Sequence, residues 1–130
     1  FQAQLGTHPE QDIAVTVLTS VIGRKPARGA LLLDAGALAL SKDRSTEKAP
    51  RDYGFGLVLD VDGQRTHGEA LIARVHQEHG EATPMPDLPV GTKLRVAPNH
   101  SCLTAAAYER YHVVDGSRQV IATWGRVNGW

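Results

Sequence analysis

From Ile13 to Ile22 the chain reads IAVTVLTSVI, which puts Ile13, Val15, Val17 and Val21 on one face of an extended backbone and mixes smaller or polar residues on the other. That density of β-branched residues predicts a strand rather than a helix. Arg24 to Gly29 holds Pro26 and Gly29 and reads as a connection, and Ala30 to Asp34 (ALLLD) is a short buried strand closed by Gly36. Ala37 to Ser41 suits one helical turn. Lys42 to Asp52 is polar, contains Pro50 and is expected to be an exposed loop. Strand character returns over Tyr53 to Val61, before an Asp62-Gly63 turn, and again over Ala70 to His76. Pro84, Pro86 and Pro89 make Thr83 to Pro89 a surface loop. Lys93 to Ala97 is extended up to Pro98, Leu103 to Tyr108 has the alanines for a helical turn, and Tyr111 to Val114 with Gln119 to Trp124 forms a hairpin about Asp115-Gly116. About seven short strands with one or two helical turns predict a mainly β chain, a compact barrel or barrel-like domain, rather than alternating βα units.

Composition narrows the class. The 130 residues are 42% hydrophobic, enough for one domain with its own core, and the 14 basic and 14 acidic side chains cancel. A balanced charge leaves no footprint for nucleic acid, and no apolar run approaches the length of a bilayer span. The single cysteine excludes an internal disulfide and favours a cytoplasmic setting. The chain opens on Phe1 rather than methionine, so it is expected to be a piece of a longer protein.

The segment with the most chemistry is Pro98-Asn99-His100-Ser101-Cys102. On an extended backbone, residues two apart project to the same side, so the His100 imidazole and the Cys102 sulfur can converge. Imidazole with thiolate suits zinc, and a site with only two protein ligands keeps positions open for substrate or water. A packing reading competes on spacing alone: a buried cysteine acting as a small hydrophobe, beside a histidine bonded to a backbone carbonyl. Among the other histidines, His76 and His79 are three apart and would fall on opposite faces of a strand, with His79 as a turn residue anchoring Gly80. His8, His67 and His112 have no supporting neighbours. Asp34 is expected to cap a turn or short helix, and Tyr108 and Tyr111 to pack.

The run VGTKLRVAPNHSCLTAAAYERYHVVDG, Val90 to Gly116, resembles the D-serine dehydratase / D-threonine aldolase family, in which a proline-asparagine-histidine-x-cysteine motif supplies metal ligands. The resemblance continues through the entry strand Val15 to Val21, through Leu33-Asp34-Ala35-Gly36 with Leu40-Ser41 and Asp43, and through Gln77-Glu78-His79-Gly80. It takes in Trp124 and the terminal Gly129-Trp130. Departures are Ala37-Leu38 where the family often has a lysine, Gln77 in place of a glutamate, and Val127-Asn128 between Arg126 and the terminus.

The resemblance implies the C-terminal β domain of a fold-type III pyridoxal-phosphate lyase acting on D-3-hydroxy amino acids. Zinc or another divalent metal would sit on His100 and Cys102, and the cofactor on an N-terminal α/β barrel that this chain lacks. The most direct expectation is a D-serine dehydratase-like reaction giving pyruvate and ammonia, with the metal activating the hydroxyl leaving group. A D-threonine aldolase type of cleavage is the neighbouring alternative, and a non-catalytic barrel module the alternative from another class. Cys102 in place of the aldolases' aspartate favours zinc and the dehydratase branch. The implied partners are the chain's own barrel domain, a second subunit of a homodimer and a small D-amino acid. The domain alone is expected to be inactive, and the sequence names no catalytic acid or base.

Overall fold

The computed structural model describes residues 2–127, so Phe1 and the glycine-tryptophan terminus lie outside the described residues. In chain order it forms β1 (Val17–Lys25), β2 (Ala30–Leu33), α1 (Ala37–Leu40), β3 (Gly56–Asp60), β4 (Leu71–Val75), β5 (Gly80–Thr83), β6 (Lys93–Pro98), α2 (Ser101–Ala106), β7 (Arg110–Val113) and β8 (Ala122–Gly125), with short 3-10 turns at Gln2–Leu5, Glu10–Asp12 and Pro26–Arg28. Six strands close into an antiparallel barrel in the order β1-β2-β5-β4-β3-β6, and β7 and β8 pair separately as a two-stranded sheet. The class is mainly β, as the sequence predicted.

The barrel interior is made by alternation. Val17, Thr19 and Val21 of β1 point inward while Leu18 and Ile22 face out. Leu31 and Leu33, Val58, Ile72, Leu94 and Val96 complete the interior, each no more than 2% exposed. Burial of one such side chain is worth about 1.5–3 kcal/mol, against roughly 0–1 kcal/mol for an exposed ion pair such as Arg118 with Asp62. Apolar packing therefore closes the barrel. A second cluster, Leu57, Leu59 and Ala97, lies outside the barrel wall under Tyr53 and Leu71.

Three expectations change. β1 starts at Val17, not Ile13, because its partner runs out: Val17 pairs with Val96, and two residues further β6 ends at Pro98, which has no N–H to donate. The strand β5, sequence GEAT, carries no β-branched apolar run and was not predicted; it is fixed between β2 and β4, where Ala82 lies opposite Leu31 and Ile72. The Lys42 to Asp52 loop is only partly exposed, since Thr46 is fully buried within it.

Two glycines seat α1. A Cβ on Gly36 would lie 2.4 Å from the His79 nitrogen, and one on Gly80 would lie 2.6 Å from the Ala35 oxygen. This close approach lets the amides of Ala37 and Leu38 donate to the carbonyls of His76 and Gln77, at 2.7 and 3.2 Å. The His76 amide donates to the His79 carbonyl at 2.8 Å, so His79 closes the turn through its backbone. The same turn brings the two rings together, stacked with centroids 4.6 Å apart, rather than on opposite faces.

Gly36→Ala should lower stability by about 1–3 kcal/mol, the usual cost of forcing extra volume into a packed contact. Urea denaturation checks this, and a wild-type midpoint would show that the α1 contact can relax at no cost.

Candidate metal centre

The polar end of the barrel is built where β6 stops. Pro98 ends the strand, Asn99 follows, and His100 sits in extended conformation (φ −131°, ψ 96°) as the residue preceding α2. The helix opens at Ser101, so Cys102 lies in its first turn and not on an extended backbone. The relation between the two proposed ligands is thus set by a strand-to-helix corner, and not by the strand alternation expected from sequence.

His100 does not cap the helix with its side chain. Its Nδ1 instead contacts Oδ2 of Asp43, which stands 57 positions earlier in the chain. A carboxylate can only accept, so Nδ1 is the donor of this contact and Nε2 is the ring nitrogen not engaged by Asp43. Cys102 is exposed. Neither half of the packing reading holds, since the thiol is not buried and the imidazole bonds a carboxylate rather than a backbone carbonyl. An available ring nitrogen and an accessible sulfur are a donor set that fits zinc. Among the described residues no group of three or more His, Cys, Asp or Glu could hold a metal ion together.

Asn99 anchors this corner. Its buried amide donates to Thr46 Oγ1 at 2.8 Å and to the Gly54 carbonyl at 2.6 Å. Ser45 Oγ lies 2.9 Å from the Asn99 carbonyl and 3.1 Å from Oδ1, and donates to this edge. Thr46 Oγ1 also accepts from the Tyr53 amide at 2.9 Å. On the far side Thr104 Oγ1 lies 2.9 Å from the Leu40 carbonyl and 3.1 Å from that of His100, tying α2 to the end of α1. Tyr108 donates to the Ala39 carbonyl at 3.1 Å, and burial pushes its phenol upward, keeping that proton in place. Tyr108 therefore packs and braces, as expected.

Asp52 completes the loop. Burial pushes its carboxyl upward, but hydrogen bonds from the Gly54 amide, Arg44 and Thr46, together with the Arg44 charge, outweigh burial and hold it below the usual carboxylate value. Asp34 behaves similarly: burial opposes ionisation, while Thr19 Oγ1 at 2.6 Å, the Ser20 amide at 2.8 Å and the field of Lys93 favour it. Asp34 thus ties the end of β2 to β1. It caps no helix, because the N-cap of α1 is Gly36 and no side chain caps it.

Sequence reading missed Asp43, Asn99 and Thr46 as working parts of the site. Asp43 and Asn99 stood inside the family-like motifs, but nothing in linear spacing puts residues 43, 46 and 99 together. The lysines of this chain stand apart from the corner. Lys25 is paired with Glu81 at 2.6 Å, Lys93 Nζ donates to Ser20 Oγ at 2.6 Å, and Lys42 and Lys48 are exposed. Beside the site, an open groove of about 780 Å³ runs between β1 and the β7–β8 hairpin, with Thr104 and Ala105 of α2 in its wall along with Tyr108, Tyr111 and Trp124.

A closed antiparallel barrel with a His-x-Cys corner defines the small β domain of a dehydratase class, and the comparisons agree. The family model described as "Putative serine dehydratase domain" matches residues 14–114, and the chain belongs to that family. It is 38% identical to D-threo-3-hydroxyaspartate dehydratase of Delftia sp., over 97% of this chain and 35% of that protein. It is 33% identical to D-serine dehydratase of Dictyostelium discoideum, over 100% of this chain and 34% of that one. The chain therefore spans about a third of these relatives' length. An uncharacterized protein of Mycobacterium tuberculosis is 36% identical over 87% of this chain, and there the match takes in 82% of the relative.

The solved Delftia enzyme superposes with a TM-score of 0.84 at 35% identity, covering 99% of this chain and 36% of that one. A cysteine-to-alanine variant of the same enzyme, solved in the metal-free form, gives 0.87 at 32% identity over 99% of this chain and 36% of that one. In a histidine-to-alanine variant of that enzyme (TM-score 0.86) the altered position lies two residues earlier.

Two outcomes are expected. Asn99→Ala should cost about 2–4 kcal/mol, because it leaves the Gly54 carbonyl without this donor and removes one of the bonds to the buried Thr46 hydroxyl; equilibrium urea unfolding measures it. The lowered carboxyl of Asp52 contributes stability that is present above its unfolded value near 4 and is lost as pH falls through the folded value. Asp52→Asn should therefore flatten the acid limb of a stability-against-pH curve below about pH 4.

Proposed function

We propose that this chain is the metal-carrying β domain of a pyridoxal-phosphate-dependent lyase that dehydrates a D-3-hydroxy amino acid, D-serine or an analogue such as D-threo-3-hydroxyaspartate. The observation that carries the reading is the His100–Cys102 corner, with Nε2 left available by the Asp43 contact and the thiol exposed. The Delftia variants support it, for their altered histidine and cysteine have the same spacing and the cysteine variant was solved without metal.

In this reading His100 and Cys102 hold a divalent metal, zinc by the character of the donors. When bound, it supplies a Lewis acid for the substrate's β-hydroxyl. The chain's own residues do the rest at this end of the barrel. Asp43 keeps the His100 proton on Nδ1. Asn99 holds the corner against the loop, and Thr104 locks α2 onto α1. Overall D-serine loses ammonia to give pyruvate, since the water eliminated with the β-hydroxyl is taken up again when the resulting imine is hydrolysed. Pyridoxal phosphate belongs to the part of the dehydratases that this chain does not span, a barrel domain of the same protein. The half-exposed apolar rim of the groove, Leu18, Val120 and Trp124 among it, suits contact with that domain or with a second subunit of a homodimer. No helix among the described residues is long and apolar enough to cross a membrane, and a cytoplasmic site suits a chain with one free thiol.

A non-catalytic module is the second reading. The mycobacterial relative favours it, because the domain makes up most of that protein.

In the protein joined to its barrel domain, zinc should copurify and D-serine should yield pyruvate, while D-threonine yields no glycine. His100→Ala and Cys102→Ala should each lower zinc affinity and turnover by at least the roughly 10–100-fold seen when an outer partner of a ligand is lost. Zinc content by atomic emission and a coupled pyruvate assay measure both. Full zinc loading in both variants would remove the site, and glycine from D-threonine would move the chain to the aldolase branch.

A further inference from the structure

Asp43 has a hydrogen-bond partner that stability does not explain. Its pair with His100 leaves the two side chains 39% and 35% exposed, a setting in which ion pairs contribute little to folding. The loop that carries it is already pinned without it, by Ser45 and Thr46 on Asn99 and by Thr104 on the Leu40 carbonyl at the loop's start. The adjacent cation does not claim the carboxylate either, since Arg44 is directed to Asp52 and Glu47. Among the described residues, His100 Nδ1 is the hydrogen-bond partner of the Asp43 carboxylate.

We propose that Asp43 is the positioning residue of the metal centre: it holds the His100 ring in one tautomer and one orientation, so that Nε2 is the nitrogen presented to the metal. The inference rests on the reading of His100 and Cys102 as ligands. A histidine that binds metal through one nitrogen usually donates the other N–H to a carboxylate or carbonyl, which fixes the ring and raises its basicity. Here the fixing comes from protein groups alone. The Asp43 backbone amide donates to Ser41 Oγ at 3.2 Å, and Ser41 itself adopts a left-handed conformation (φ 69°) directly after α1. The carboxylate is thus aimed from a shaped turn whose α1 end is seated against Gly36 and the His76–His79 turn. The imidazole is aimed from a corner held by Asn99. The two halves of the contact come from opposite sides of one hydrogen-bonded loop.

The test uses zinc alone as the probe, on the 130-residue chain, with competitive chelator titration of wild type, Asp43→Asn, Asp43→Glu, Asp43→Ala and His100→Ala. Asp43→Asn and Asp43→Ala should weaken zinc binding about 10–100-fold. Asp43→Glu should recover part of the loss, and His100→Ala should bind more weakly than all of them. Thermal midpoints of the Asp43 variants should stay within about 2 °C of wild type, as expected for an exposed pair. Two-bond proton–nitrogen NMR of the zinc-free chain should show His100 protonated at Nδ1 in wild type and shifted toward the Nε2-protonated form in Asp43→Ala. Wild-type zinc affinity and an unchanged tautomer in the Asp43 variants, with His100→Ala still defective, would overturn the positioning role and leave the ligands standing. A loss in Asp43→Asn as severe as in His100→Ala would make Asp43 a ligand itself and overturn the role as stated. Wild-type affinity in His100→Ala would remove both this inference and the reading beneath it.

Discussion

The amide of Asn99 spends both its donors and its acceptor on the loop that faces it, reaching Thr46, Gly54 and Ser45 from a buried position. Everything proposed for this end of the molecule depends on that set of bonds. A buried side chain with both its donors bonded and its oxygen contacted favours one arrangement, because a slip leaves a desolvated group without a partner. The consequence is geometric. Two segments far apart in sequence are held in one register, so that the residue after Asn99 and a residue three before Thr46 meet as His100 and Asp43.

The barrel beneath serves this arrangement by being rigid and apolar. Its interior is packed from strands that alternate inward and outward side chains, and each interior leucine or isoleucine outweighs any of the surface ion pairs. Rigidity is what a site built on a corner requires, since a metal ligand misplaced by an ångström loses much of its use. The close seating of Gly36 and Gly80 carries the same logic to α1. There the space a side chain would need is taken by backbone, and the short helix gains carbonyl partners from the β4–β5 turn.

Membership of the serine dehydratase domain family, with dehydratases three times this chain's length among the relatives, frames what such a domain contributes. In this chain the corner places an imidazole and an exposed thiol at one end of a closed barrel. The apolar groove beside α2 belongs to the same picture, a surface whose exposed Leu18 and Trp124 are more useful covered than solvated.

The mainly β class, the hairpin at Tyr111 to Trp124, the buried ALLL strand and the His-x-Cys motif could be read from the residues, because strand alternation, turn chemistry and ligand type are local properties of the chain. β5 could not, for GEAT has no pattern of its own and is a strand only because β2 and β4 flank it. Thr46 looked like part of a solvated loop, and Asp43 like a surface acid. Their roles arise from contacts with Asn99 and His100 across more than 50 positions of sequence. The sequence by itself determined that an imidazole and a thiol stand two positions apart after a strand-ending proline. Only the tertiary structure decided which nitrogen of His100 meets Asp43, because a hydrogen bond between distant residues has no trace in local periodicity.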